Sequence, residues 1–410
     1  MATTYLTPGV YIEEVSTGAK PIASVGTSTA AFVGVAPAGD AHVGRALAIN
    51  NWSHFVREFV RDEGSGTPLA SAVFGFFDNG GRRCYVVNVG RGNDIVGDAR
   101  RRTGLAALEA IDEIAIVAAP GYADAGSYDA LLSHCERMGD RVAILDSPAG
   151  LEDIDRLKQV ATVAAPAAGG AADEPDDGGA GARPRNSDGG FGAFYFPWIM
   201  ARDPLDAAKV IGTPPSGHLA GIYAHTDATR GVHKAPANVG IRGALGLCYR
   251  VTDAEQGELN RLGVNCLRFF PDTGIRVWGA RTLAAESSEW RYVSVRRLFN
   301  MIEESITAGT RWTVFEPNDE RTWKSVERDV RSFLTLLWRD GALRGATPEQ
   351  AFFVKCDAET NPPEVVDAGR LVTEIGIAPV KPAEFIIFRI GQWLGGGDSS
   401  SAAGEAANET

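Results

Sequence analysis

No apolar run in this sequence comes near the roughly 20 residues that a membrane-crossing helix requires. The N-terminus lacks the basic-then-apolar profile of a secretion signal, so synthesis and assembly in the cytoplasm are expected. Cysteine is sparse: Cys84, Cys135, Cys248, Cys266 and Cys356 are odd in number, scattered and never spaced as CxxC. That excludes a disulfide framework and a zinc site of ordinary spacing, and leaves most of them as small buried apolar residues. Positive charge is also short, with 40 Lys and Arg against 52 Asp and Glu and a net charge of -12. General affinity for nucleic acid or an anionic membrane is not expected from that balance.

Catalytic patterns are missing as well. Hydrolysis of the serine type needs a nucleophile, a His base and an orienting carboxylate brought together. None of the six histidines, His42, His54, His134, His218, His225 and His233, stands in such a context. Ser216 in TPPSGH lacks the GxSxG elbow, and neither HExxH nor GxxxxGK[ST] occurs. His225, Asp227 and His233 suggest a metal or acid–base cluster on paper, but the Gly, Pro and Asn content around them reads as a structured loop. No enzymatic activity, metal or cofactor is expected.

What the chain does contain is apolar mass: 410 residues at 44% hydrophobic can bury a large core divided over two or three domains. From Ala46 to about Ile199, short apolar runs alternate with helical periods. Strands are predicted at Ala46–Ile49, Cys84–Val89, Ile114–Ala118, Val142–Leu145 and Phe194–Ile199, and helices at Trp52–Val60, Leu69–Phe77, Leu105–Ile111, Tyr128–Met138 and Ile154–Val163. Such βα alternation indicates a mainly parallel sheet covered on both faces, an α/β fold. Pro166–Gly192 breaks the pattern, rich in Gly, Ala, Pro and Asp, and reads as a mobile surface insertion.

Beyond Glu286 the texture changes to longer helices. Val295, Leu298, Phe299, Ile302 and Ile306 form one apolar stripe that stops at Gly309. Asn318 is the expected cap of a second helix, with the stripe Val326, Val330, Phe333, Leu334, Leu337 and Trp338. Both need a surface to cover, and a small sheet from Ala351–Cys356 and Leu371–Ile377 supplies it, giving a compact α+β domain. On the second helix Lys324, Arg328 and Arg331 line one basic stripe, whose simplest reading is a solvated face paired locally to Glu327 or Asp329.

The two ends carry strands without partners. Phe385–Ile390 is apolar on both faces, Phe385 and Ile387 pointing one way and Ile386, Phe388 and Ile390 the other, a pattern that demands burial in a sheet. After Pro8-Gly9 the segment Val10, Tyr11, Ile12, Glu13 to Val15 alternates as a second arm, and Gly18–Pro21 and Pro379–Pro382 read as hinges. Either the arms complete a neighbour's sheet by strand donation or they fold back as ordinary edge strands. Gly395–Thr410 reads as a disordered acidic tail.

Several long motifs carry a resemblance: TPGVYIEEV at the start, GIYAHTDATRGVHKAPAN (Gly221–Asn238), GIRVWGARTL (Gly274–Leu283), WRYVSVRRLFNMIEESI (Trp290–Ile306), FEPNDERTW (Phe315–Trp323) and FVKCDAETNPP (Phe353–Pro363). In this order the chain resembles the sheath proteins of contractile phage tails and phage-like extracellular injection systems. The resemblance implies an N-terminal arm over 1–20, a subtilisin-like α/β domain over 21–284 and a smaller tube-facing α+β domain over 285–383. A C-terminal arm strand and tail fill 384–410. It implies a helical homo-oligomer of hexameric rings around an inner tube protein, with baseplate and cap proteins as further partners, in a particle that can leave the cell. The receiving hairpin would then be Phe352, Phe353, Val354 with Leu371, Val372 and Ile375, completed by Val10–Glu13 and Phe385–Ile390 of neighbours, and Lys324, Arg328 and Arg331 would be candidates for tube contact. A non-contractile filament and a subtilisin-like hydrolase are the alternatives.

Overall fold

A computed structural model of the chain describes residues 21–61, 66–162 and 181–387. Incoming residues 21–29 lead into β1 (Ala30–Gly34), whose five residues are all buried, as befits a central strand. The expected alternation thus begins earlier than Ala46. It continues through β2 (Ala46–Ile49), α1 (Trp52–Phe55, prolonged by a π-turn over Val56–Val60), α2 (Pro68–Asp78), β3 (Cys84–Asn88), β4 (Ile116–Ala118), α3 (Ala125–Met138), β5 (Val142–Asp146) and β6 (Gly192–Phe196). β7 (Ile199–Arg202), β8 (Val210–Thr213), α4 (Ser216–Arg230), β9 (Ala244–Leu247), α5 (Asp253–Arg261), β10 (Val264–Phe270) and β11 (Gly274–Trp278) follow.

Eight strands form one sheet in the order β11-β10-β6-β5-β4-β1-β3-β2. Its pairs are parallel except at the rims, where β2 runs against β3 and β11 against β10. Successive residues of β1 enter opposite cores: Ala30 and Phe32 share one with Leu69, Val73, Leu219 and Tyr223 of α2 and α4, while Ala31 and Val33 share the other with Leu131 and Leu132 of α3. Continuous apolar strands are the signature of this two-sided burial.

Several expectations fail for identifiable reasons. Pro197, which has no N–H to donate, ends the strand expected over Phe194–Ile199, and Ile199 opens β7 in a separate three-stranded sheet with β8 and β9. Leu105–Ile111 and Ile154–Val163 shrink to 3₁₀ turns, Gly104–Leu108 and Ile154–Lys158. In the second case the backbone is diverted: Ala161 N donates to Arg183 O (2.7 Å) and Arg183 N to Gln159 O (3.0 Å). Residues 181–192 are therefore part of the body rather than of the expected insertion. Charge holds them, since Arg185 pairs with Asp129 (2.6 Å) and Glu136 (2.9 Å) of α3, and the buried Ser187 donates to Glu136 (2.7 Å). The rest of that insertion, 166–180, lies outside the described residues.

The expected loop around His225 and Asp227 is the helix α4. Its glycines serve close approach instead of turning: a Cβ on Gly217 would sit 2.2 Å from Ala72 Cα, and one on Gly221 2.5 Å from Phe76 O. α2 and α4 pack backbone to backbone for that reason.

The C-terminal layer comprises α6 (Val293–Thr310), α7 (Glu320–Arg339), α8 (Pro348–Ala351), β12 (Phe352–Lys355), α9 (Pro363–Asp367) and β13 (Glu374–Ile377). Leu298 and Ile302 of α6 share a third core with Val326, Val330, Phe333, Leu334 and Leu337 of α7 and with Phe352 and Val354. Gly309 does not stop α6; lacking a Cβ, it gives room to Ile22, which a Cβ would meet at 2.6 Å. The cap of α7 is Asp319, whose Oδ1 accepts from Arg321 N and Thr322 N at 3.0 Å each, while Asn318 accepts from Trp323 Nε1 (2.7 Å).

Candidate assembly surface

The sheet body and the helical layer are riveted by a buried ion pair. Arg297 of α6 donates to Asp227 of α4 at 2.9 and 2.5 Å, with both side chains at most 5% exposed. Arg297 also donates to Thr27 O (2.8 Å) and lies over the Tyr223 ring at 4.9 Å, and Thr27 Oγ1 donates to Asp227 (2.7 Å). Val25 N donates to Ser305 Oγ (3.0 Å), so the incoming segment is stitched to α6 along its length. Asp227 thus acts as a structural counter-ion, while His225 and His233 take no part in that pair.

β12 and β13 form a two-stranded antiparallel sheet, Phe352 opposite Ile377 and Val354 opposite Ile375. Phe352 and Val354 face the helices, whereas Phe353 is 56% exposed and covers Gly376, where a Cβ would meet its ring at 2.1 Å. The second strand starts at Glu374 rather than Leu371. Before it, the Asn361 side chain imitates a strand partner: Val372 N donates to Asn361 Oδ1 (2.7 Å) and Asn361 Nδ2 to Val372 O (2.9 Å). Leu371 and Val372 therefore lie outside the ladder that Phe352, Phe353, Val354 and Ile375 enter.

Beyond β13 the chain is held at two points, which removes Pro379–Pro382 as a free hinge. Arg344 N donates to Ala378 O (2.8 Å) and Val380 N to Ala342 O (3.2 Å). Then Glu384 accepts a fork of bonds from Arg281, 2.9 Å from Nε and 2.6 Å from Nη2. Immediately past this clamp Phe385, Ile386 and Ile387 are 74–80% exposed and outside any strand. They do not fold back as an edge strand. Burial of each is worth roughly 1.5–3 kcal/mol, a strong drive toward another surface. Val10, Tyr11, Ile12, Glu13, Phe388, Ile390 and the Gly18 hinge lie outside the described residues.

The basic stripe on α7 is exposed and locally paired: Lys324 with Glu320 (3.7 Å), Arg328 with Asp329 (3.1 Å) and Arg331 with Glu327 (3.2 Å). The Arg281–Glu384 clamp and the Arg297–Asp227 rivet escaped the sequence reading. The available signal was three cations, Arg281, Arg296 and Arg297, inside otherwise apolar segments, where a charge needs a partner.

Ser216, the residue nearest to a nucleophile by position, is buried at the start of α4. Its N–H and Oγ both donate to the buried Asp146 of β5, at 2.8 and 2.6 Å. Burial pushes the Asp146 carboxyl up to about 7, against the lowering effect of the Ser216 bonds. Pro215 at the N-cap position has no capping side chain, and Asp146 fills that role from the sheet. Among the described residues no His/Cys/Asp/Glu cluster is arranged to hold a metal, and no helix is long and apolar enough to cross a membrane.

Comparison with known proteins gives this architecture a family. Residues 101–283 match the phage tail sheath protein central domain and residues 285–392 the phage tail sheath C-terminal domain. The tail sheath protein of Vibrio phage KVP40 is 30% identical over 176 residues, 42% of this chain and 25% of that protein. A prophage major tail sheath protein of Pseudomonas aeruginosa is 31% identical over 188 residues, 44% of this chain and 47% of that one. The chain thus spans between a quarter and about half of these curated relatives. Among solved structures, the contracted sheath of the extracellular contractile injection system PVC superposes with a TM-score of 0.73 at 31% identity, covering 96% of this chain and 99% of that one. The contracted helical sheath of the anti-feeding prophage gives 0.70 at 30% identity, covering 95% and 100%.

The fold and these likenesses define the class: a sheath-type protein of contractile tails. The chain belongs to the phage tail sheath family.

Proposed function

We propose that this chain polymerises as stacked hexameric rings around an inner tube and contracts to drive that tube through a target envelope. The observation that carries the reading is the exposed Phe385–Ile387 run leaving a fixed clamp, in a chain whose β12–β13 hairpin has no third strand among the described residues. Strand donation joins these halves: an apolar arm from one subunit extends the β12–β13 pair of another, and the N-terminal arm Val10–Glu13 adds a further strand. Contacts between unlike surfaces do not close on themselves and generate helical assemblies. The contracted state of the similar structures favours a sheath that shortens over a static filament.

On this reading the parallel, doubly covered sheet adopts the subtilisin-like arrangement without its chemistry, since Ser216 is spent on capping α4. The division near residue 284 separates the sheet body from a tube-facing layer. Lys324, Arg328 and Arg331 present charge to the tube, and baseplate and cap proteins bind the ends of the stack. Contraction proceeds from an extended lattice held as a kinetic trap, with the Arg297–Asp227 rivet keeping each subunit rigid.

Truncation of the chain before Phe385 tests the arm. Assembled sheath should disappear from electron micrographs while the monomer's unfolding midpoint stays within about 0.5 kcal/mol of wild type, the range of surface changes. Sheaths of normal length and contraction from the truncated chain would refute arm donation.

A further inference from the structure

A cavity of about 360 Å³ lies between α2, the first turn of α4 and the small sheet β7–β9. Its walls are mainly apolar, including Phe74, Pro204 and Leu245. Four buried polar side chains line it, Ser71, Asp203, Thr213 and His218, of which Ser71 is 4% and His218 3% exposed. Ser71 Oγ has no hydrogen-bond partner; His218 Nδ1 has none either, but it lies against Gly75, where a Cβ would meet it at 2.3 Å, and Nε2 is the nitrogen nearer Asp78. Buried polar groups are normally satisfied, so each such exception calls for an explanation. Burial lowers the His218 pKa to about 4 and leaves a neutral ring at neutral pH, able to accept a hydrogen bond.

Negative charge converges on the same space. Gly243 has φ +80°, and a Cβ there would lie 3.4 Å from Asp78 Oδ2 and 3.7 Å from His218 Nε2, so a carboxylate oxygen and an imidazole nitrogen flank one point. The buried Asp203 belongs to the wall, but its carboxylate accepts from Leu205 N (2.9 Å) and packs against Gly66, where a Cβ would meet Oδ1 at 2.5 Å and Oδ2 at 2.6 Å, so it adds negative charge near the cavity and not a free ligand in it. Among the described residues neither Asp78 nor Asp203 forms an ion pair. Arg202 also lines the cavity, but its Nη1 donates to Ala207 O (2.7 Å).

We propose that this cavity receives a basic side chain of a second copy of the chain, its methylene stem against Phe74 and Leu245 and its cationic head beside Asp78 Oδ2 and His218 Nε2, with Asp203 adding negative charge nearby. Lys and Arg match such a site because an apolar stem carries a charged donor head. The choice of a second copy rests on the assembly reading above. A side chain entering a cavity on an unlike surface is a heterologous contact, the kind that propagates a helix.

n-Butylguanidinium reproduces the stem and head of arginine. It is titrated into the full-length, unassembled chain labelled with ¹³C-histidine, with the His218 resonance as readout. A saturable shift is expected, with affinity at least about tenfold weaker for n-butanol and for the Asp78→Asn/Asp203→Asn variant, whose fold is checked by circular dichroism. In a second arm, that variant should need at least about tenfold more protein for half-maximal polymerisation by sedimentation, and saturating butylguanidinium should inhibit the wild type. No saturable shift, or equal binding by the variant, overturns the cation site. Binding with unchanged polymerisation overturns the second copy as occupant and leaves a site for a free organic cation. A wild-type chain that never polymerises overturns the assembly reading itself, which the probe titration does not depend on.

Discussion

The eight-stranded sheet and the β12–β13 pair meet the problem of open strand edges in opposite ways. At the β11 rim, Asn238 N donates to Val277 O (2.8 Å), Ile241 N to Ile275 O and Val277 N to Val239 O (3.1 Å each), so a loop closes the edge. The hairpin has no third strand among the described residues and turns Phe353 outward. The pair is steadied by packing Phe352 and Val354 on α6 and α7, but an exposed edge is a template for other chains. The large sheet thus closes this edge within the chain, while the hairpin edge and the segment beyond Glu384 hold unspent capacity for association.

The rivet gives the sharpest way to break this contrast. Arg297→Met leaves Asp227 buried without a counter-ion and should lower stability by about 3–5 kcal/mol in urea titration of the unassembled chain. Arg297→Met with Asp227→Leu should recover part of that loss, because replacing a buried pair by apolar groups is far cheaper than orphaning one member. Equal losses in both variants would show that the junction depends on packing rather than charge.

The pH dependence of the sheet body is a smaller effect, made of two opposed slopes. Burial, reinforced by Arg141 and Arg137 for His134, lowers the pKa values of His134 and His218 to about 4. Between the ordinary His value of 6.5 and about 4 the unfolded chain binds protons that the folded chain refuses, so stability falls as pH is lowered through that window. Asp146, raised to about 7, retains a proton in the folded state that the unfolded chain gives up above 3.8, so its contribution falls as pH rises over that range. Asp146→Asn removes the second slope, and its urea midpoint should drop more steeply below pH 6.5 than that of the wild type.

The smallest effect on folding belongs to the α7 stripe. Reversal of Lys324, Arg328 and Arg331 to Glu removes exposed pairs, each worth about 0.2–1 kcal/mol. If the stripe faces the tube, sheath loading on purified tubes should nevertheless fall at least about tenfold, equivalent to about 1.4 kcal/mol. Unchanged loading would move the tube contact elsewhere on the layer.

Legibility in the sequence followed the physical origin of each element. β2, β3 and β5 are short apolar runs between helical periods, and the stripes of α6 and α7 have clean helical spacing, so pattern alone located them. α4 was hidden because Gly221 and Gly231, with Pro236 and Asn238 beyond them, suggest a loop, whereas Gly221 serves close helix–helix contact with Phe76. Residues 181–192 were hidden because Arg185 and Ser187 anchor them through Asp129 and Glu136, without an apolar period. In the candidate site, the exposed apolar run at Phe385–Ile387 was visible as a pattern, but its anchor was not. Arg281 and Glu384 are far apart in the chain, and no local spacing joins them.

That anchor also sets a route for force. The backbone of Arg281 is fastened to Asn265 of β10, with Arg281 N donating to Asn265 Oδ1 and Asn265 Nδ2 to Arg281 O, 2.7 Å each. In the proposed assembly, tension on the polypeptide past Glu384 meets the guanidinium fork, and through it the large sheet, before it reaches the hairpin. The lightest part of the molecule is thereby shielded from the heaviest load.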